Sequence, residues 1–169
     1  MGWIRRDVTG RLCGKLVLLW SGLSIGVAFV ATPAKFLAPS LSLPVALDVG
    51  RETFQVYNAV EMAIGLCVLV LAASSAARRR WLAWLAAPLL IVLVERLVLL
   101  PGLDARTVMV QRGVAAPGSW LHELYIWAEV VKLAVLLAAG LSFDPTRLRL
   151  RPPGFRLSSW VAMRPRLEP

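Results

Sequence analysis

Eight side chains able to bind or pass protons and ions lie within stretches otherwise apolar enough for lipid: Asn58, Glu61, Glu95, Arg96, His122, Tyr125, Glu129 and Lys132. An ionisable group placed away from water needs a partner inside the protein, and such groups commonly mark ion or proton paths. His122, Tyr125, Glu129 and Lys132 follow one another by three, four and three positions, which stacks them on one helix face. Arg51, Phe54, Asn58, Glu61 and Gly65 repeat that stepping in an earlier stretch. Lys132 stands about ten residues, or roughly 15 Å, from either end of its stretch. The expected pairs are Lys132 with Glu61 or Glu129, and Arg96 with Glu95 or Glu129, converging in the outer half of a bundle.

Two kinds of chemistry suit this set. Ion pairs can fix helix register, each contributing modestly; alternatively the excess acid titrates on a proton or solute path. His122 is the only histidine. At the start of its stretch it reads as an interfacial structural residue, or as an axial haem ligand that needs a second histidine from another chain. There is no H-E-x-x-H, paired Cys-x-x-Cys, Gly-rich phosphate loop or G-x-S-x-G. The sequence therefore assigns no catalytic residue, no cofactor and no metal site. Cys13 and Cys67 fall at different membrane depths, which argues against a disulfide between them.

The elements that position these residues follow from composition. The chain has 169 residues, of which 58% are hydrophobic; its mean hydropathy is +0.68. A soluble domain of this size cannot hide so much apolar surface, so a polytopic membrane protein is expected. Four spans are read at residues 16–32, 51–75, 81–100 and 121–141, preceded by a basic leader (1–15) and followed by a basic tail (142–169). A signal peptide is the competing reading of the first span, with Thr32-Pro33-Ala34 as its cleavage site. The apolar run exceeds a usual signal core and Pro33 adjoins the cut, so retention is expected. Residues 33–50, with Pro33, Pro39 and Pro44, read as a mostly irregular interfacial segment. Pro88 should kink the third span and Pro101-Gly102 should end it. Residues 103–120 read as a polar outer loop. Gly22 and Gly26 form a G-x-x-x-G, read as close packing against a helix of the same chain.

The net charge of +9 is topological. Thirteen of the 19 basic residues lie in three flanks, residues 5–15, 78–80 and 147–166, as the positive-inside rule requires of cytoplasmic segments. In the tail, Arg147, Arg149, Arg151, Arg156, Arg164 and Arg166 suit an anionic membrane surface. Phe155 and Trp160 among them also permit a nucleic-acid reading. A basic tail beside a cytoplasmic helix end favours the membrane.

Three short motifs remain: Pro33 with Phe36 after the first span, Gly50-Arg51 with Phe54 at the start of the second, and Leu121-His122 at the start of the fourth. In these the chain resembles small, uncharacterised bacterial four-span proteins of the domain-of-unknown-function type. The resemblance covers the four spans and not the tail; it implies an inner-membrane location and carries no catalytic role.

The expectation is thus an all-α, four-helix transmembrane bundle with both termini cytoplasmic. Its partners are the bilayer and either another membrane protein or a second copy. The function favoured from sequence is a non-enzymatic accessory or interaction subunit. A small transporter or proton-linked channel using the Glu/Lys/Arg cluster is the first alternative, and a redox protein using His122 the second.

Overall fold

Apolar side chains repeating at three and four positions give each helix a buried stripe, and four such stripes close around one another. A computed structural model describes residues 2–75 and 78–142, with side chains from residue 8. Helix α1 (Gly2–Ser24) continues through a π-helical segment, π1 (Ile25–Ala31), into the short α2 (Thr32–Lys35). Helix α3 spans Leu43–Ala73, and α4 (Arg78–Val94) passes through π2 (Glu95–Leu99) into α5 (Leu100–Gln111). Helix α6 is Leu121–Ser142. The described residues thus form four rods, Val8–Lys35, Leu43–Ala73, Arg78–Gln111 and Leu121–Ser142, each long and apolar enough to cross a membrane. The protein is an all-α four-helix bundle and a multi-pass membrane protein. Helices suit lipid because they satisfy their backbone groups internally.

The rods pack in a ring, in the order α1, α3, α4, α6 and back to α1. Cross-contacts show them antiparallel. Cys13 Sγ faces the Val68 carbonyl, while Trp20, seven residues on, reaches Glu61. Asn58 meets Val92, and Gln55, one turn earlier, meets Arg96. The buried stripes step by three and four along every rod: Cys13, Val17, Trp20 and Ser24; Asn58, Glu61, Gly65, Val68 and Ala72; Trp81, Leu85, Pro88, Val92, Glu95 and Leu99; Tyr125, Glu129, Lys132, Leu136 and Ala139. That period is the one of left-handed bundles. The apolar core falls into two clusters, a large one around Trp20, Trp81 and Leu136 and a small one around Leu99, Leu100 and Tyr125.

The rods run beyond the ends that hydropathy suggests. Pro44 is tolerated because it lies in the first turn of α3, where its missing N–H has no helical partner to lose. Only residues 36–42 separate α2 from α3, so the segment 33–50 is far more helical than expected. Pro33 and Pro101 are absorbed by π-helix. The Thr32 N–H bonds to the Val27 carbonyl just before Pro33, and the Leu100 N–H bonds to the Glu95 carbonyl just before Pro101. Widening the turn ahead of each ring re-pairs the carbonyls it would have orphaned. Pro101 therefore does not end the third rod, which continues to Gln111. The rod stops at a Schellman-type cap: Gly113 has φ +73° and the Val114 N–H bonds to the Met109 carbonyl at 3.0 Å.

Gly22 and Gly26 are not packing positions within the chain. Both are exposed, and a methyl group added at either would meet nothing within 4 Å.

Candidate functional site

Glu61, Glu95, Glu129 and Lys132 come together at the level where all four rods are half-traversed. Lys132 lies near the middle of Leu121–Ser142, Glu95 near the middle of Arg78–Gln111, and Glu61 in the central part of Leu43–Ala73. Trp20, central in Val8–Lys35, completes the level from the first rod. The convergence is thus mid-bundle rather than in the outer half, because the rods extend further at their loop ends than expected. The centre sits between the two apolar clusters.

The Lys132 ammonium donates to three carboxylates: Glu61 Oε2 at 2.7 Å, Glu95 Oε2 at 2.8 Å and Glu129 Oε1 at 2.9 Å. Lys132, Glu61 and Glu95 are 0% exposed and Glu129 is 2% exposed. Trp20 Nε1–H donates to Glu61 Oε1 at 2.7 Å, and the Ser24 hydroxyl lies 3.4 Å from the same oxygen. Two phenols hold Glu129: Tyr125 donates to Oε1 at 3.0 Å and Tyr57 to Oε2 at 3.2 Å. The Tyr57 ring also faces the ammonium at 5.3 Å. Glu95 is treated differently, since its Oε1 is buried and has no hydrogen-bond partner.

This arrangement has a charge consequence. Oxygens of the three carboxylates lie within 4.8 Å of one another, a spacing that suits a bound cation, and the Lys132 ammonium is the cation among them. One ammonium balances one carboxylate. Desolvating two further anions without compensation is prohibitive, so the centre is neutral only with added protons or another cation. Glu95 Oε1 is the unclaimed oxygen where a proton fits.

A cavity of about 480 Å³ reaches this centre from the end of the bundle carrying residues 36–42 and 112–120. Its walls include Phe29, Thr32, Phe36, Phe54, His122, Tyr125 and Glu129. His122 is exposed, whereas Tyr125 and Glu129 are buried. His122, Tyr125, Glu129 and Lys132, on one face of α6, therefore lead from the cavity to the ammonium. A second cavity of about 260 Å³ shares Thr32, Phe36, Leu47, Phe54 and His122 with the first.

Two sequence-predicted members stand outside the centre. Arg96 pairs with neither Glu95 nor Glu129; it is exposed and its Nη1 donates to the Gln55 carbonyl at 3.4 Å. Adjacent helical residues point in different directions, so burying Glu95 turns Arg96 outward. His122 lies on the cavity wall, a full ten residues from Lys132. Asn58 is buried beside the centre and donates to the Val92 carbonyl at 3.3 Å, leaving its Oδ1 unpaired. The tail arginines Arg147, Arg149, Arg151, Arg156, Arg164 and Arg166 lie outside the described residues, as do Ala76 and Ala77.

Sequence reasoning missed Trp20. A tryptophan near the start of a span read from residue 16 looks like an interfacial anchor. The usable signal was the stepping of Cys13, Val17, Trp20 and Ser24 by four, three and four, which continues one buried stripe back into the leader. Gly65 supports it: an added methyl there would lie 3.1 Å from the Trp20 ring. Compared with known protein families, curated proteins and solved structures, the chain matches none, so its function is argued from this geometry.

Proposed function

We propose that the protein is a small proton-linked carrier or channel of the bacterial inner membrane, using Glu61, Glu95, Glu129 and Lys132 as its proton-binding centre. The observation that carries this reading is three buried carboxylates around one ammonium, reached by a cavity that ends at Glu129. A purely structural ion pair needs one acid for one base, whereas this centre has two acids in excess. Protons are its natural counter-charge, and His122, Tyr125 and Glu129 supply a ladder of proton-bearing groups along α6. Orientation is supported by charge. Arg11, Lys15, Arg78, Arg79 and Arg80 gather at one end, whereas toward the other Lys35, Arg51, Arg96, Arg106 and Arg112 are largely balanced by Asp48, Glu52, Asp104 and Glu123. The positive-inside rule places the first end, and with it both termini, in the cytoplasm.

The test is proton flux in liposomes holding the purified full chain under an imposed pH gradient. Glu95→Gln is the sharpest variant because it removes a titrating group whose Oε1 has no bond to lose. We expect flux to fall about tenfold or more, an effect typical of losing one proton-transfer group, with thermal stability nearly unchanged. Wild-type liposomes no leakier than empty ones would end this reading.

A second reading, an interaction subunit, is favoured by the open face at Gly22 and Gly26. Co-purification of one stoichiometric membrane partner, together with absence of flux from the lone chain, would transfer the function to that complex.

A further inference from the structure

The smaller cavity, which none of the three buried glutamates lines, carries an unbalanced set of cations. Lys35, Arg51 and Arg106 line it against one acid, Asp104, which is occupied by the Gln55 amide at 2.8 Å. Arg51 is held through Nη2 by Asp48 at 3.1 Å and Glu52 at 2.8 Å, while its Nε is buried without a hydrogen-bond partner. Neither Lys35 nor Arg106 has a carboxylate partner among the described residues. Lys35 instead faces two rings, Phe36 at 5.0 Å and Phe54 at 5.9 Å. Those rings, with Leu47, form the apolar wall that continues into the larger cavity.

We propose that this cavity binds an amphipathic anion, a carboxylate or phosphate carried on an apolar tail. Lys35 and Arg106 bind the head group, Arg51 Nε adds a hydrogen bond, and Phe36, Phe54 and Leu47 receive the first part of the tail. Guanidinium and ammonium donors to an anion form charge-assisted bonds, the strongest class available here. The aromatic wall selects a tail over a bare inorganic ion. Gly50 is part of the device: a methyl group there would collide with the Lys35 ammonium, so glycine makes the space in which that cation sits. The site stands whether or not protons cross the buried centre.

Two sources share this chemistry, an anionic lipid and a free fatty-acid-like anion. The experiment titrates purified full chain in a non-ionic detergent with octyl phosphate, reading the thermal unfolding midpoint, with octyl glucoside as a neutral control of equal tail length. A saturable rise is expected with octyl phosphate and none with octyl glucoside. Arg106→Gln and Lys35→Gln should each weaken apparent affinity about tenfold or more. Gly50→Ala should weaken it too, since it displaces the ammonium without changing the charge. Arg112→Gln, exposed and outside both cavities, should bind as the parent does. Competition by phosphatidylglycerol identifies the lipid source; binding of octyl phosphate without such competition identifies the free anion. Absence of a saturable shift from octyl phosphate and from phosphatidylglycerol overturns the proposal. So does an equal loss of binding in Arg112→Gln.

Discussion

Each of the three ammonium hydrogens of Lys132 has a different glutamate to meet, and this makes the residue the keystone of the centre. Removing it leaves three buried acids with no cation, a much larger cost than the net worth of the pairs themselves. Lys132→Met should lose about 3–5 kcal/mol of stability, as for breaking a buried pair from one side. Denaturant unfolding in detergent measures it, and Lys132→Met with Glu61→Gln should recover part of the loss. Trp20→Phe keeps the ring's bulk and removes only the N–H given to Glu61. Its cost should be about 1–3 kcal/mol, the price of a buried acceptor left short of a donor. A Lys132→Met protein as stable as its parent would show that the centre contributes nothing to the fold.

At the scale of helices, closeness of approach varies along the first rod. The Trp20 ring approaches α3 closely because Gly65 has no side chain, and Leu89 crowds the same spot. Gly65→Ala should lower the unfolding midpoint, because a buried indole cannot step aside as a chain tip can. Gly22→Ala should be neutral or raise stability by up to about 1 kcal/mol, since alanine is the better helix former and nothing adjoins that position. Measured on the lone chain, equal losses at both glycines would contradict this packing. The two π segments belong to the same scale. Each sits directly ahead of a proline, and π2 begins at Glu95 itself, so the widened turn that accommodates Pro101 also carries one of the three acids.

The molecule as a whole is a bundle whose ends differ in charge, and that asymmetry sets a topology experiment. In a background with Cys13→Ala and Cys67→Ala, single cysteines at Ser119 and at Ser74 report opposite ends of the bundle. An impermeant thiol reagent added to intact cells should label Ser119→Cys, and should label Ser74→Cys only after the membrane is opened. The reverse pattern would invert the orientation inferred from Arg78, Arg79 and Arg80. It would also turn the cavities toward the cytoplasm.

Hydropathy alone determined that this is an all-α membrane bundle of four rods, because a bilayer accepts few other solutions for runs of some 20 apolar residues. The three-and-four stepping of Tyr125, Glu129 and Lys132, and of Asn58, Glu61 and Gly65, was equally legible, since helical geometry is local. What sequence could not supply was the order of rods around the ring, which depends on side-chain fit between segments far apart in the chain. That order decided that Glu95 joins Lys132 while Arg96 turns away, and that Trp20 from the leader side of the first span reaches Glu61. Helix ends were misjudged for a related reason. Pro33 and Pro101 read locally as breakers, and only the packed rods on either side make a π-helical detour cheaper than stopping.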